Sequence, residues 1–243
     1  MCFRRFTPMF AGLALLLAMS VAAVASPANT TDNEQRRARV VNPVNLAILI
    51  QDDLVPQVDN ELRVTRDFIR SLPRGSRVMV GYVTAGSLQV RQPFTADLEK
   101  AAGSLRILRS TVSSAPYNPY VQVIEALRKF EGVSGRKAVL LISDGLDTSR
   151  GFDISSAANT LDLERAIRES TKRDVAVYSF YAPSVGFSSR SRLAASYGQS
   201  SLNRLAKETG GKAFFQGTTG FVSFDSYFRR LSDELNDQFA RAY

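Results

Sequence analysis

The stretch Val44–Ile50 (VNLAILI) is nearly all apolar, the pattern of a strand covered on both faces. Pro56–Leu72 instead repeats with helical spacing: Val58, Leu62, Thr65, Ile69 and Leu72 form one stripe, and Pro73-Arg74-Gly75 ends it. Arg77–Thr84 and Leu88–Phe94 read as strands, and the short Ala85-Gly86-Ser87 connection makes them an antiparallel hairpin. Thr95 reads as the N-cap of a helix over Ala96–Arg109, with Leu98, Ala101, Ala102, Leu105 and Leu108 on one face. After a loop rich in Ser and Pro (Ser113–Pro119), Tyr120, Val123, Ile124, Leu127 and Phe130 mark another helix. Lys137–Ile142 is a second fully buried strand. Leu161–Lys172 follows as a helix and Val175–Tyr181 as a strand. Pro183–Ser201 is a long Ser-rich stretch, read as irregular. A short helix, Ser201–Thr209, closes at Gly210-Gly211. Lys212–Gln216 is the last strand, and Phe224, Phe228, Leu231, Leu235 and Phe239 make a final amphipathic helix.

Strands that alternate with helices pair in parallel through crossovers. The expected fold is therefore α/β, doubly wound and Rossmann-like. It has a mostly parallel sheet of about six strands, one antiparallel edge strand and helices on both faces. Ligands of such sheets bind beyond the carboxyl ends of the strands. Three segments fall there: Gln51–Val55, Ser114–Asn118 and Asp144–Asp147.

The first residues follow a different pattern. Arg4 and Arg5 precede an apolar run from Phe10 to Val24, and Ala23-Val24-Ala25 gives a small-x-small cleavage pattern. Residues 1–25 are read as a secretory signal peptide. The run is shorter than the roughly 20 residues of a spanning helix, so no integral membrane span is expected after cleavage, and the mature protein is expected to be secreted or periplasmic. Residues 26–42 form a polar lead-in, and 43–243 a single domain.

Composition narrows the chemistry. The 243 residues include no histidine and one cysteine, Cys2, which leaves with the signal peptide. Ser-His-Asp triads, imidazole bases and His- or Cys-built metal sites are thereby excluded. A bound metal would be a hard cation held by oxygen. Loss of Arg4 and Arg5 takes the formal charge from +8 to +6. Arg63, Arg66 and Arg70 share one helix face. With no aromatic residues interleaved, that stripe favours a solvated face or an anionic envelope surface over nucleic acid.

Three segments carry a family resemblance. Arg136–Ser149 (RKAVLLISDGLDTS) looks like the buried strand and (T/S)DGxDTS turn of the von Willebrand factor type A (VWFA) domain. Leu202–Phe215 (LNRLAKETGGKAFF) is similar to that family's LxxLAxxTGGxxF block, and Arg91–Asp97 (RQPFTAD) resembles the FTxD element of a bacterial exported subfamily. The resemblance runs from about Val44 to Phe239. It implies a protein-binding domain of adhesion type, usually with Mg²⁺ held by an Asp-x-Ser-x-Ser loop, a Thr and a later Asp. This chain departs from the pattern. Gln51 stands at the Asp position, Asp53 at the first Ser and Val55 at the second. Ala115-Pro116-Tyr117 stands in the Thr region, and only the last Asp survives, as Asp144.

The resulting expectation is an exported protein–protein interaction module with a degenerate metal site, no enzyme activity and no cofactor. Its partner-binding edge would be built from Asp52, Asp53, Tyr117, Asn118, Asp144 and Asp147. The alternative is a divalent-cation-dependent binding domain that uses Asp52, Asp53 and Asp144 with Mg²⁺ or a similar ion. A hydrolase is the remote option, because the chain has no nucleophile-elbow motif and no phosphate-cradling Gly-rich loop.

Overall fold

The computed structural model describes residues 40–111, 116–149, 151, 160–186, 188–216 and 223–241. Residues 1–25, read above as a signal peptide, most of the expected lead-in, Ser114, Ala115 and the side chain of Phe239 lie outside the described residues. Among those described, the strands are β1 (Asn45–Gln51), β2 (Arg77–Thr84), β3 (Ser87–Thr95), β4 (Lys137–Ser143), β5 (Val175–Tyr181) and β6 (Ala213–Phe214). The helices are α1 (Gln57–Ser71), α2 (Leu98–Gly103), α3 (Pro119–Arg128), α4 (Leu161–Lys172), α5 (Arg192–Glu208) and α6 (Asp225–Arg241).

The strands form one sheet in the order β3-β2-β1-β4-β5-β6. All neighbours are parallel except β2 and β3. The edge strand β3 is thus the antiparallel one, as the Ala85-Gly86-Ser87 turn requires. Each buried strand alternates its side chains between two cores. Leu46, Ile48 and Ile50 of β1 join Val58, Leu62, Phe68 and Ile69 of α1 and Phe228, Leu231 and Leu235 of α6. Ala47 and Leu49 face the other way, toward Tyr120, Val123 and Leu127 of α3, Leu163 and Ile167 of α4, and Leu202 and Leu205 of α5. Each such large side chain removed from water stabilises the fold by roughly 1.5–3 kcal/mol before entropy is counted. Val40, at the end of the polar lead-in, is also buried in the first core, and the Val41 amide donates to Asn236.

Three elements differ from the periodicity reading. The helix expected over Ala96–Arg109 stops at Gly103, and its N-cap is Asp97, whose carboxylate accepts from the Lys100 amide. Thr95 instead accepts from the Asp97 amide. Leu105 and Leu108 are buried without being helical. The segment that carries them is tied down from outside: Asp59 accepts from the Leu108 amide, and Arg66 donates to the Leu105 carbonyl. The stretch read as irregular contains the start of α5, where Ser191 caps the helix by accepting from the Ala194 amide. The last strand shrinks to Ala213–Phe214.

Candidate functional site

The chain leaves β1 toward β2 on one side and returns through β4 on the other, so the sheet's topological switch point lies between β1 and β4. Gln51 and Ser143 end those two strands, and their side chains meet there. Ser143 Oγ donates to Gln51 Oε1 at 2.5 Å, and the Asp144 amide donates to the same oxygen at 3.3 Å. The other end of the Gln51 amide, Nε2, donates to Asp53 Oδ1 at 2.7 Å. Asp144 continues the network. Its Oδ1 accepts from the Leu146 amide at 3.1 Å, and its Oδ2 accepts from Ser188 Oγ at 3.0 Å. Ser188 in turn accepts from the Ser184 amide. The Asp53 carbonyl takes the Val185 amide, and the Pro183 carbonyl takes the Val55 amide, so the β5–α5 loop is laced directly to the β1–α1 loop.

This network lies in the interior. Gln51, Asp53, Ser143, Asp144, Ser184 and Ser188 are all buried. Burial, and then the nearby charge of Asp144, pushes the Asp53 carboxyl up to about 7 against the Gln51 bond. Burial also raises Asp144, opposed by its hydrogen bonds from Ser184, Leu146 and Ser188.

A second arrangement sits on the β2 side. Asp52 is buried, and its Oδ1 accepts from Arg106 Nη1 at 2.8 Å, while Oδ2 lies 3.4 Å from Arg109 Nε. The Asp52 carbonyl accepts from the Ser110 amide. Arg106 lies over the Tyr82 ring at 4.1 Å, and the Tyr82 hydroxyl bonds both the amide and the carbonyl of Arg106.

The remaining residues expected at the edge do local structural work. Asn118 caps α3, accepting from the Tyr120 and Val121 amides, and its amide donates to Asp162 at 2.9 Å. Tyr117 is half-buried and pairs with Thr148 in both directions through backbone and hydroxyl. Asp147 turns its carboxylate onto Ser149, from whose amide and hydroxyl it accepts. Tyr120 is fully buried and donates to the Gly145 carbonyl at 2.5 Å. The arginine stripe on α1 is engaged as well: Arg63 pairs with Asp67, Arg70 with Glu99, and Arg66 reaches Leu105. Sequence reasoning missed Ser188, Arg106, Arg109 and Tyr82. Ser188 stood in a stretch read as irregular, and the two arginines stood in a segment read as helix.

Among the described residues, the donor set of an Mg²⁺ ion is not assembled at this point. An octahedral Mg²⁺ wants oxygen ligands facing one point. At this point Gln51 presents an N–H donor to Asp53, Asp52 is turned onto two guanidinium groups, and Val55 has no donor atom. Among the described residues, no group of three or more His, Cys, Asp and Glu side chains is placed to hold a metal ion. Asp52, Asp53 and Asp144 share an edge but point into different partners.

Sheet order, the single antiparallel edge strand and the two helical layers define a VWFA-type, Rossmann-like α/β fold. Among solved structures it is similar to an aerotolerance-related membrane protein from Bacteroides fragilis. That match has 16% identity and a TM-score of 0.54, over 81% of this chain and all (100%) of that one. It is similar also to BatB from Bacteroides thetaiotaomicron, with 16% identity and a TM-score of 0.55, over 83% of this chain and 100% of that one. Human COPII-coat protein Sec24c shares the fold over 80% of this chain and 32% of its own, at 11% identity and a TM-score of 0.54. No protein-family model and no curated sequence matches the chain. No described helix is long and apolar enough to cross a membrane.

Proposed function

We propose that this protein is an exported interaction module that docks a protein partner at the C-terminal edge of its sheet, without a metal and without catalysing a reaction. The observation that supports this most is the sealed centre of that edge. Gln51, Asp53, Ser143, Asp144 and Ser188 satisfy one another in a buried network, where the fold would otherwise offer an open polar site. Acids committed to such partners serve poorly as ligands for a cation or as acid–base groups toward a substrate. Contact then falls to the rim around them. One of the Bacteroides neighbours is described as a membrane protein. An envelope setting for the present chain agrees with that and with the Arg4-Arg5 start and apolar run of its N-terminus.

The test is capture of the partner from the native envelope with and without chelator, alongside thermal unfolding in millimolar Mg²⁺, Mn²⁺ or Ca²⁺. The expected result is the same partner in both captures and an unmoved Tm. A ligand that binds only the folded state raises its apparent stability. A metal-dependent rise in Tm, or capture abolished by chelator, overturns the metal-free reading.

A further inference from the structure

The segment Leu105–Ser110, which follows α2, is held with more care than a connector needs. From Leu105 to Ser110 nearly every residue is fixed by a distant group. Arg66 donates to the Leu105 carbonyl, Tyr82 bonds the Arg106 backbone twice, and Asp59 accepts from the Leu108 amide. Asp52 accepts from the Arg106 side chain and from the amides of Arg109 and Ser110. Leu105 and Leu108 are buried beneath it. Ser110 then takes a left-handed conformation, φ 47°, costly for a residue with a side chain.

What this scaffold presents is an exposed isoleucine between two arginines. Ile107 is 72% exposed, the most exposed of the large hydrophobic residues described. The Arg109 side chain is 68% exposed although its Nε is pinned toward Asp52. That leaves its two terminal nitrogens for another acceptor. Three guanidinium groups, of Arg66, Arg106 and Arg109, meet this segment against two carboxylates, of Asp52 and Asp59, so one positive charge is left over.

We propose that Arg106, Ile107 and Arg109 form the docking hook of this protein. Arg109 takes a partner carboxylate in a forked pair while Ile107 enters among aliphatic side chains. The partner is therefore a protein segment that carries acidic and aliphatic residues side by side. The proposal rests on the interaction-module reading above and assigns its contact residues and partner chemistry. A pre-set loop loses little entropy on docking, and a planar guanidinium already oriented by Asp52 suits a carboxylate.

The test uses the full exported chain and a fluorescein-labelled peptide alternating glutamate and leucine. Its lysine–leucine counterpart and mixed phosphatidylcholine–phosphatidylglycerol vesicles serve as the other arms. The expected result is saturable binding of the acidic peptide that fades with added salt. Ile107→Ser and Arg109→Gln should each weaken it about tenfold with Tm unchanged, as for a central interface residue. Equal binding of the lysine peptide, no binding of the acidic one, or binding indifferent to both variants overturns the hook. So does vesicle binding lost in the variants while peptide binding is kept, which would make the partner a lipid surface. Envelope capture separates the two levels. A partner captured equally by wild type and Ile107→Ser ends the hook and leaves the module. No partner captured by either ends the module reading itself.

Discussion

Asp52 and Asp53 are adjacent in the chain and both buried, yet they face opposite worlds. Asp52 looks toward β2 and meets two guanidinium groups. Asp53 looks toward β4 and meets a neutral amide, with a second acid, Asp144, near enough to push its carboxyl up to about 7. The two residues stand in the turn just after β1, and their side chains part there toward different partners. One side of the edge is therefore an ion-paired clamp that reaches the surface through Arg109. The other is a closed hydrogen-bonded plug. The difference teaches how this edge can serve as a contact surface: the plug makes it rigid, and the clamp gives it an exposed charge.

The comparison breaks most sharply at the plug. Helix α5 crosses the Asp144 loop at Gly198, where an added Cβ would lie 1.9 Å from the Asp144 carbonyl oxygen. Backbone stands on both sides of that contact, so nothing can yield cheaply. Gly198→Ala is expected to cost at least about 3 kcal/mol in urea unfolding, or to prevent folding altogether. The clamp should be softer. Asp52→Ala strips Arg106 of its buried partner, and a broken buried pair costs about 3–5 kcal/mol where both charges are enclosed. Arg106 keeps its bond to the Ile107 carbonyl and some exposure, so a loss of about 2–3 kcal/mol is expected. An Asp52→Ala variant as damaged as Gly198→Ala would mean that the two sides are not independent.

The two sides also differed in how far the sequence disclosed them. β1, β4 and β5 are continuous apolar runs, and the α1 stripe Val58, Leu62, Thr65, Ile69 and Leu72 is buried throughout. Patterns of that kind come from burial itself and are legible. Helix α5 was not legible in its first half because its packing face is built of small residues, Ala194, Ala195, Gly198 and Ser201. They permit close approach to the Asp144 loop without adding hydrophobic signal. The opposite error arose at Leu105 and Leu108, whose helical spacing is real but whose segment is held in place by hydrogen bonds to Tyr82, Asp59 and Asp52. Those partners stand far off in sequence, Asp52 being 54 residues from Arg106. At the site, the place of Gln51 in the loop could be read directly. The clamp could not, because it exists only once β1, β2 and the segment after α2 are brought together.

Proton linkage sharpens the contrast further. A carboxyl whose folded pKa is raised binds protons in the folded state that the unfolded chain has already lost. Stability from Asp53 is therefore full below the ordinary carboxylate value near 4 and declines as pH rises toward about 7. Asp144, also raised, adds a slope of the same sign. Asn at position 53 can still accept from Gln51 but does not ionise. Asp53→Asn is expected to flatten the fall in urea-unfolding stability between pH 4 and 8 by about 3–4 kcal/mol, about three pKa units, Asp144 supplying what remains. An Asp53→Asn profile as steep as that of the wild type over this window would show that Asp53 does not carry the slope.

The smallest expected effect is at the outer end of the clamp. The Arg109 side chain touches Asp52 only at 3.4 Å through Nε, and most of it stands in solvent. Exposed ion pairs of this kind contribute little because water screens them and the long side chain loses entropy to hold them. Arg106 already supplies Asp52 with a shorter bond. Arg109→Ala should therefore change unfolding stability by less than about 0.5 kcal/mol. That near-silence in stability gives the variant its use. Arg109 lies on the Asp52 side of the edge, and if it is there to be read by a partner, its removal shows in binding and not in folding. A loss above about 1 kcal/mol would instead make it a structural member of the clamp, and the difference between the two sides of the edge would then lie only in how each is held.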